Sequence, residues 1–161
     1  MAEWRELPRL TQVSVRVDPA SPAALALGLP LEPNTVAGAG DRRTLWLGPD
    51  EWLVVAAPEE RPRLEEELSR ALSGEMSAVV DVSAQRTVIE LSGPEARAVL
   101  MQGCSIDLHP RVFHEGRCAQ TMLARAQVIL LPVRPEAYWV FLRSSFAGYV
   151  EAWLREAAAA S

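Results

Sequence analysis

The chain has 161 residues, 49% of them hydrophobic and 23% charged, with a net charge of −5. That is the length of one domain, 1–161, apolar enough to fill a core without disulfides or metal. All 16 basic residues are arginine. The missing lysine excludes Schiff-base and P-loop chemistry, and the acidic balance argues against nucleic acid.

Along the chain, "MAEWRELPRLTQ" has no apolar run of signal-peptide length, and no window approaches 18 consecutive apolar residues. The expectation is a soluble cytoplasmic protein, not a membrane one, with its two cysteines as free thiols. "TQVSVRVD" alternates Val13, Val15 and Val17 on one face, which predicts a strand. "SPAALALG" supplies Ser21 as N-cap, Pro22 in the first turn and Gly28 as stop, hence a short helix. "LPLEPNTVAGAGDRR" reads as loop, and its Gly38–Asp41 stretch "GAGD" lacks the rest of a dinucleotide fingerprint.

A hairpin is expected next, Thr44–Leu47 and Trp52–Ala56 around Gly48-Pro49-Asp50. A helix follows, with Leu64, Leu68, Ala71 and Leu72 inward and Gly74 as its end. Two more strands cover Ala78–Val82 and Thr87–Leu91. In "SGPEARAVLMQG", Ser92 and Glu95 fit a capping box, Ala96, Val99 and Leu100 face inward, and Gly103 stands where a left-handed cap belongs. "AQTMLARAQVILLPV" is strand-like, with "AYWVFL" its partner. The last helix carries Phe146, Tyr149, Val150, Trp153 and Leu154 at helical spacing, and "AAAAS" is expected to fray. Strand–strand–helix units of this order predict an α+β fold of antiparallel sheets with packed helices.

Between the last two strand groups, "GCSIDLHPRVFHEGRCAQ" collects Cys104, Asp107, His109, His114 and Cys118. All but the aspartate make a C-x4-H-x4-H-x3-C array, unlike the close pairs of structural zinc sites. A cysteine nucleophile needs a cationic neighbour or a helix N-terminus, and Cys104 follows a helix C-terminus. The reading from residues alone is a structural connection, so no catalytic or metal-binding residue is assigned. Trp46, Trp52, Trp139 and Trp153 read as core or interface packing residues, and five tryptophans are more than one core of this size needs.

Four stretches carry a family resemblance: "LWLGPDEWLVV", "VVDVSAQRTVIELSGPEARAVLMQGCSIDLHPRVF", "GRCAQTMLARAQVIL" and "FLRSSFAGYVEAWL". Together they resemble the gamma subunit of heterotetrameric sarcosine oxidase over about residues 40–155. The resemblance implies a fold similar to part of the T-protein, the folate-binding aminomethyltransferase of glycine cleavage. It implies partners, the alpha, beta and delta subunits, in a complex that oxidatively demethylates sarcosine to glycine with oxygen and tetrahydrofolate. FAD, FMN, NAD and tetrahydrofolate are implied for the partner chains and no cofactor for this one, whose role is accessory. Docking on alpha is expected to use Trp4, Arg42, Arg43, Arg111 and Arg117, and the lone chain is expected to form a homo-oligomer. One site residue comes with the resemblance: Asp107 is the candidate match to a folate-holding aspartate of the T-protein. The alternatives are a stand-alone folate-binding or aminomethyltransferase-like module and a metal protein using the Cys/His array.

Overall fold

The structure is a computed structural model that describes residues 1–39 and 41–161; Gly40 and the side chain of Ala39, within the "GAGD" stretch, lie outside the described residues. Two compact units emerge, one from Arg9–Ser83 and one from Met1–Pro8 together with Ala84–Ser161. We call them the inserted and terminal units. The chain opens with β1 (Glu3–Glu6), which belongs to the terminal unit.

The inserted unit runs β2 (Thr11–Val17), α1 (Pro22–Leu27), β3 (Val36–Ala39), β4 (Arg42–Gly48), β5 (Glu51–Ala56), α2 (Arg61–Ala71) and β6 (Ser77–Asp81). Its antiparallel sheet has the order β3-β4-β5-β2-β6. Val13 and Val15 lie opposite Val54 and Trp52 in register, so one face is continuously apolar. Leu64, Leu68 and Leu72 from the α2 segment and Ala24 from α1 close this core. Trp52 is fully buried and donates its indole N–H to the Pro30 carbonyl at 2.7 Å. α1 follows its sequence signals, since Ser21 Oγ accepts from the Ala24 amide and Gly28 turns left-handed at φ 69°.

Three expectations for this unit need correction. The stretch read as loop contains β3 and the start of β4; β3 is an edge strand, which needs ladder partners on one side only and so tolerates small residues. Ala71 is exposed, because the buried positions of α2 repeat every four residues and leave it on the solvent side. α2 ends at Ala71 with Leu72 as its cap, ahead of Gly74.

The terminal unit adds β7 (Arg86–Ser92), α3 (Ala96–Met101), β8 (Ala119–Leu123), β9 (Ala126–Arg134), β10 (Ala137–Arg143) and α4 (Ala147–Ala159). Its antiparallel sheet has the order β1-β7-β10-β9-β8. Ile89, Leu91, Val140, Leu142, Val128 and Leu130 point to one face and pack with Val99 and Leu100 of α3 and Val150 and Leu154 of α4. The α+β reading therefore holds twice over, once in each unit.

Local corrections here share one cause: tertiary contacts took over from local signals. Ser92 is not a cap; it ends β7, opposite both Glu3 and Ala137, and α3 begins at Ala96 without a side-chain cap. The chain turns at Gly93, with φ 114°. The single strand expected over residues 119–133 is a hairpin whose two-residue turn is Ala124-Arg125, with Ala124 at φ 53°. An alanine there gives no turn signal in sequence. It is held because the Ala124 amide donates to the Gly103 carbonyl (3.0 Å) and the Arg125 amide to the Tyr149 hydroxyl (3.3 Å). α4 runs to Ala159, and the Gln102 side chain donates to the Ala157 carbonyl at 3.0 Å. Phe146 and Tyr149 are each 40% exposed, so the helix presents Val150, Leu154 and Ala157 to the core instead.

Gly103 is also not a left-handed cap. Its role is close approach, since a Cβ there would lie 2.5 Å from the Trp153 ring and 3.1 Å from the Ala124 nitrogen. Gly103→Ala is therefore expected to destabilise the protein by about 1–3 kcal/mol, the usual range for overpacking. Gly148 in α4 has open space around its missing Cβ. Gly148→Ala is expected to stabilise by about 0.5–1 kcal/mol. Urea unfolding of the two variants checks the opposite signs.

Candidate functional site

The Cys/His stretch is organised by its own backbone. Asp107 is exposed, and its Oδ1 accepts the His109 amide at 2.9 Å in a local turn. His109 Nδ1 in turn accepts the Arg111 amide at 3.1 Å, and the amides of Val112 and Phe113 both donate to the His109 carbonyl. Nδ1 of His114 lies 2.8 Å from the Glu115 carbonyl. Leu108 and Phe113 are buried in the terminal core, with Cys104 and Ile106 packed against it. The segment is thus a one-turn connection pinned by apolar residues.

Cys104 lacks the lowered pKa that a nucleophilic thiol needs. Burial pushes Cys104 up to about 11, so at neutral pH it is a protonated donor, and it gives its hydrogen bond to the Met122 carbonyl (3.3 Å). Cys118 is buried. Among the described residues, no three or more His, Cys, Asp or Glu side chains gather in metal-ligating geometry. Asp107, His109, His114 and the cysteines are neighbours in sequence, and the fold does not turn them toward a common point.

What the fold does bring together is a charged row on the terminal sheet, on the face turned away from α3 and α4. Arg5, Glu90, Trp139 and Leu131 lie directly opposite one another across four strands. Glu90 keeps only 10% of its side chain exposed. Its Oε2 accepts the Trp139 indole N–H at 3.0 Å, and its Oε1 faces Arg5 at 3.4 Å and Arg134 at 3.6 Å. Burial works most strongly against its charge, but the Trp139 hydrogen bond and the charges of Arg134 and Arg5 outweigh it and hold the carboxyl below its ordinary range. Sequence reasoning missed this group. The available signal was an acid inside "TVIEL", on the face that alternation would give to solvent.

Beside it, Arg97, Arg134, Phe113, His114, Pro135 and Tyr138 line a groove of about 510 Å3 in the same unit. Burial raises the Tyr138 hydroxyl above its ordinary value, so it stays a neutral donor at this groove.

The family model for the sarcosine oxidase gamma subunit matches residues 14–160. The chain belongs to that family. The "Sarcosine oxidase subunit gamma" of an Arthrobacter species is 43% identical over 95% of this chain and 78% of its own length. That of Corynebacterium sp. strain P-1 is 41% identical over 96% and 79%. Among solved structures, a chain of the heterotetrameric sarcosine oxidase from Corynebacterium sp. U-96, in complex with pyrrole 2-carboxylate, superposes with a TM-score of 0.91 at 37% identity, covering 97% of this chain and 83% of that one. Aminomethyltransferase T from Bartonella henselae matches at TM-score 0.71 and 16% identity over 95% of this chain and 45% of that one, a likeness of fold alone. Both the family and the T-protein-like fold read from the quoted stretches are thereby established. No described helix is long and apolar enough to cross a membrane.

The expected docking residues fare unevenly. Trp4 lies in β1 and packs on the terminal core. Arg42 is engaged by Glu67 at 2.7 Å and Glu60 at 3.3 Å, chiefly the former, which raises its already high pKa further. Arg111 is exposed, and Arg43 and Arg117 are half-buried.

Because the folded state lowers the Glu90 pKa, its charge stabilises the fold above the unfolded value, about 4.3 for a glutamate. That contribution is lost as pH falls through the folded pKa. Glu90→Gln is expected to be less stable than the natural protein at pH 7, with the gap closing as pH drops below about 4. Urea midpoints across that range check it; a gap independent of pH rules out the charge as its source.

Proposed function

We propose that this chain is the gamma chain of a heterotetrameric sarcosine oxidase, an accessory subunit that docks on the alpha chain and performs no chemistry itself. The observation that carries the proposal is the match along nearly the whole chain, TM-score 0.91 at 37% identity, to a chain of a heterotetrameric sarcosine oxidase. The geometry is in keeping with it. The Cys/His stretch spends its polar groups on its own turns, and the Cys104 thiol is protonated at neutral pH. In this reading the complex converts sarcosine to glycine with oxygen and tetrahydrofolate. The alpha and beta chains hold FAD, FMN and NAD, alpha holds the folate, and the delta chain completes the tetramer.

The test is co-expression. The tagged chain is expected to capture the matching alpha chain, and by itself to have no flavin absorbance and produce no peroxide from sarcosine. Failure to capture alpha overturns the docking role; peroxide from the chain alone overturns the accessory one. Arg111→Ala is expected to weaken capture, given the exposure of Arg111.

Folate binding through Asp107 is a separate question within the same complex. Asp107 Oδ1 is engaged by the His109 amide. Asp107→Asn keeps an oxygen acceptor for that bond while removing the charge. The variant complex is expected to make methylenetetrahydrofolate at the unaltered rate. A drop in that rate, with sarcosine consumption unchanged, assigns Asp107 to the folate site instead.

A further inference from the structure

The groove at Tyr138 is bordered by α3, the Cys/His stretch and the β9–β10 turn, all of the terminal unit. Its volume, about 510 Å3, is within the range of small-molecule sites, roughly 300–1,000 Å3. Its frame is preformed. The Gly93 amide donates to the Glu136 carbonyl at 2.9 Å, and Pro135 restricts the backbone just before Glu136. Tyr138 is only 4% exposed and lines the groove, yet its hydroxyl has no hydrogen-bond partner among the described residues. The hydroxyl of a buried tyrosine ordinarily finds one. Burial does most to raise the pKa of that hydroxyl, Arg97 lowers it and Glu136 raises it, so a cation and an anion stand within electrostatic reach of one oxygen. Both side chains are exposed, and among the described residues they form no ion pair with each other or with another charge.

The lining narrows the ligand. A simple anion entering the groove meets Glu115 and Glu136, and a simple cation meets Arg97 and Arg134, although Arg134 also faces Glu90 at 3.6 Å. A molecule that carries both signs can satisfy both. Phe113, Pro132 and Pro135 add apolar walls that a purely polar ligand would leave unused. The guanidinium fork matches a carboxylate, and a neutral tyrosine hydroxyl can donate to it as well. We propose that this groove binds a free α-amino acid with an apolar side chain: its carboxylate accepts from Arg97 and the Tyr138 hydroxyl, its ammonium donates to Glu136, and its side chain lies against Phe113 and the two prolines.

The experiment titrates the full-length chain with L-phenylalanine and follows backbone amide signals by NMR. Saturable binding is expected, with the largest shifts at Gly93, Glu115 and Glu136. Hydrocinnamate lacks the ammonium, phenethylamine lacks the carboxylate and glycine lacks the apolar body. Each is expected to bind at least about tenfold more weakly, the loss of one charge-assisted contact or of the apolar burial. Arg97→Gln is expected to weaken phenylalanine about tenfold and leave phenethylamine unchanged. Glu136→Gln is expected to weaken phenylalanine similarly and leave hydrocinnamate unchanged. Both residues are exposed, so these variants should fold; Tyr138→Phe keeps the ring, removes the hydroxyl and is expected to weaken phenylalanine too. No saturable binding of phenylalanine, or an affinity unchanged in both charge variants, overturns the site. Hydrocinnamate or phenethylamine binding as tightly as phenylalanine overturns the need for both charges, and glycine binding as tightly overturns the apolar side chain.

Discussion

The close approach at Gly103 organises the terminal unit. A single hydrogen in place of a methyl lets Trp153 rest on the backbone, with room for nothing larger than glycine. The same residue accepts the Ala124 amide, which helps hold the β8–β9 turn in a conformation alanine rarely adopts. The next residue, Cys104, ties its thiol to Met122 on β8. Three elements distant in sequence, the end of α3, the β8–β9 hairpin and α4, are thereby fixed at one point. Cys104, one of the residues suspected of chemistry in this stretch, serves that junction.

Glu90 sets the character of the opposite face. A carboxylate with a tenth of its side chain exposed needs partners for both oxygens, and these come from β1, from β10 and from the end of β9. Removing any partner leaves charge without full compensation, a larger penalty than loss of a surface ion pair. The row therefore specifies register as well as stability: slipping β1 by one residue would carry Arg5 to the other face.

Much of the fold was legible. Alternation marked β2 through Val13, Val15 and Val17, and Ser21, Pro22 and Gly28 marked both ends of α1. These signals are local and suffer no competition. Ser92, Gly103 and Ala124 were misread because their conformations are set by Glu3, Trp153 and Gly103, partners that sequence spacing does not bring near. Trp4 was expected at a docking surface on the premise that one core cannot use five tryptophans. Two cores exist, and Trp4 packs on one and Trp46 and Trp52 in the other. For the candidate site, the suspect residues were visible but their local engagement was not, since it depends on Asp107 and His109 each accepting a backbone amide of their own turn. Glu90 escaped because a lone acid in a strand looks the same whether its face meets solvent or arginine.

The terminal unit is discontinuous, and this has a kinetic meaning. β1 cannot pair with β7 until some 80 residues later in the chain, a separation that by itself costs about 4 kcal/mol of loop-closure entropy. The intervening segment contains its own clasp. The Gln12 amide meets Ser83 Oγ at 2.9 Å and the Val82 amide meets the Gln12 carbonyl at 2.8 Å, so the two ends of the inserted unit are tied side by side. With that clasp closed, the long loop is already shut, and the pairing of β1 with β7 would need only the short connections on either side of the insert.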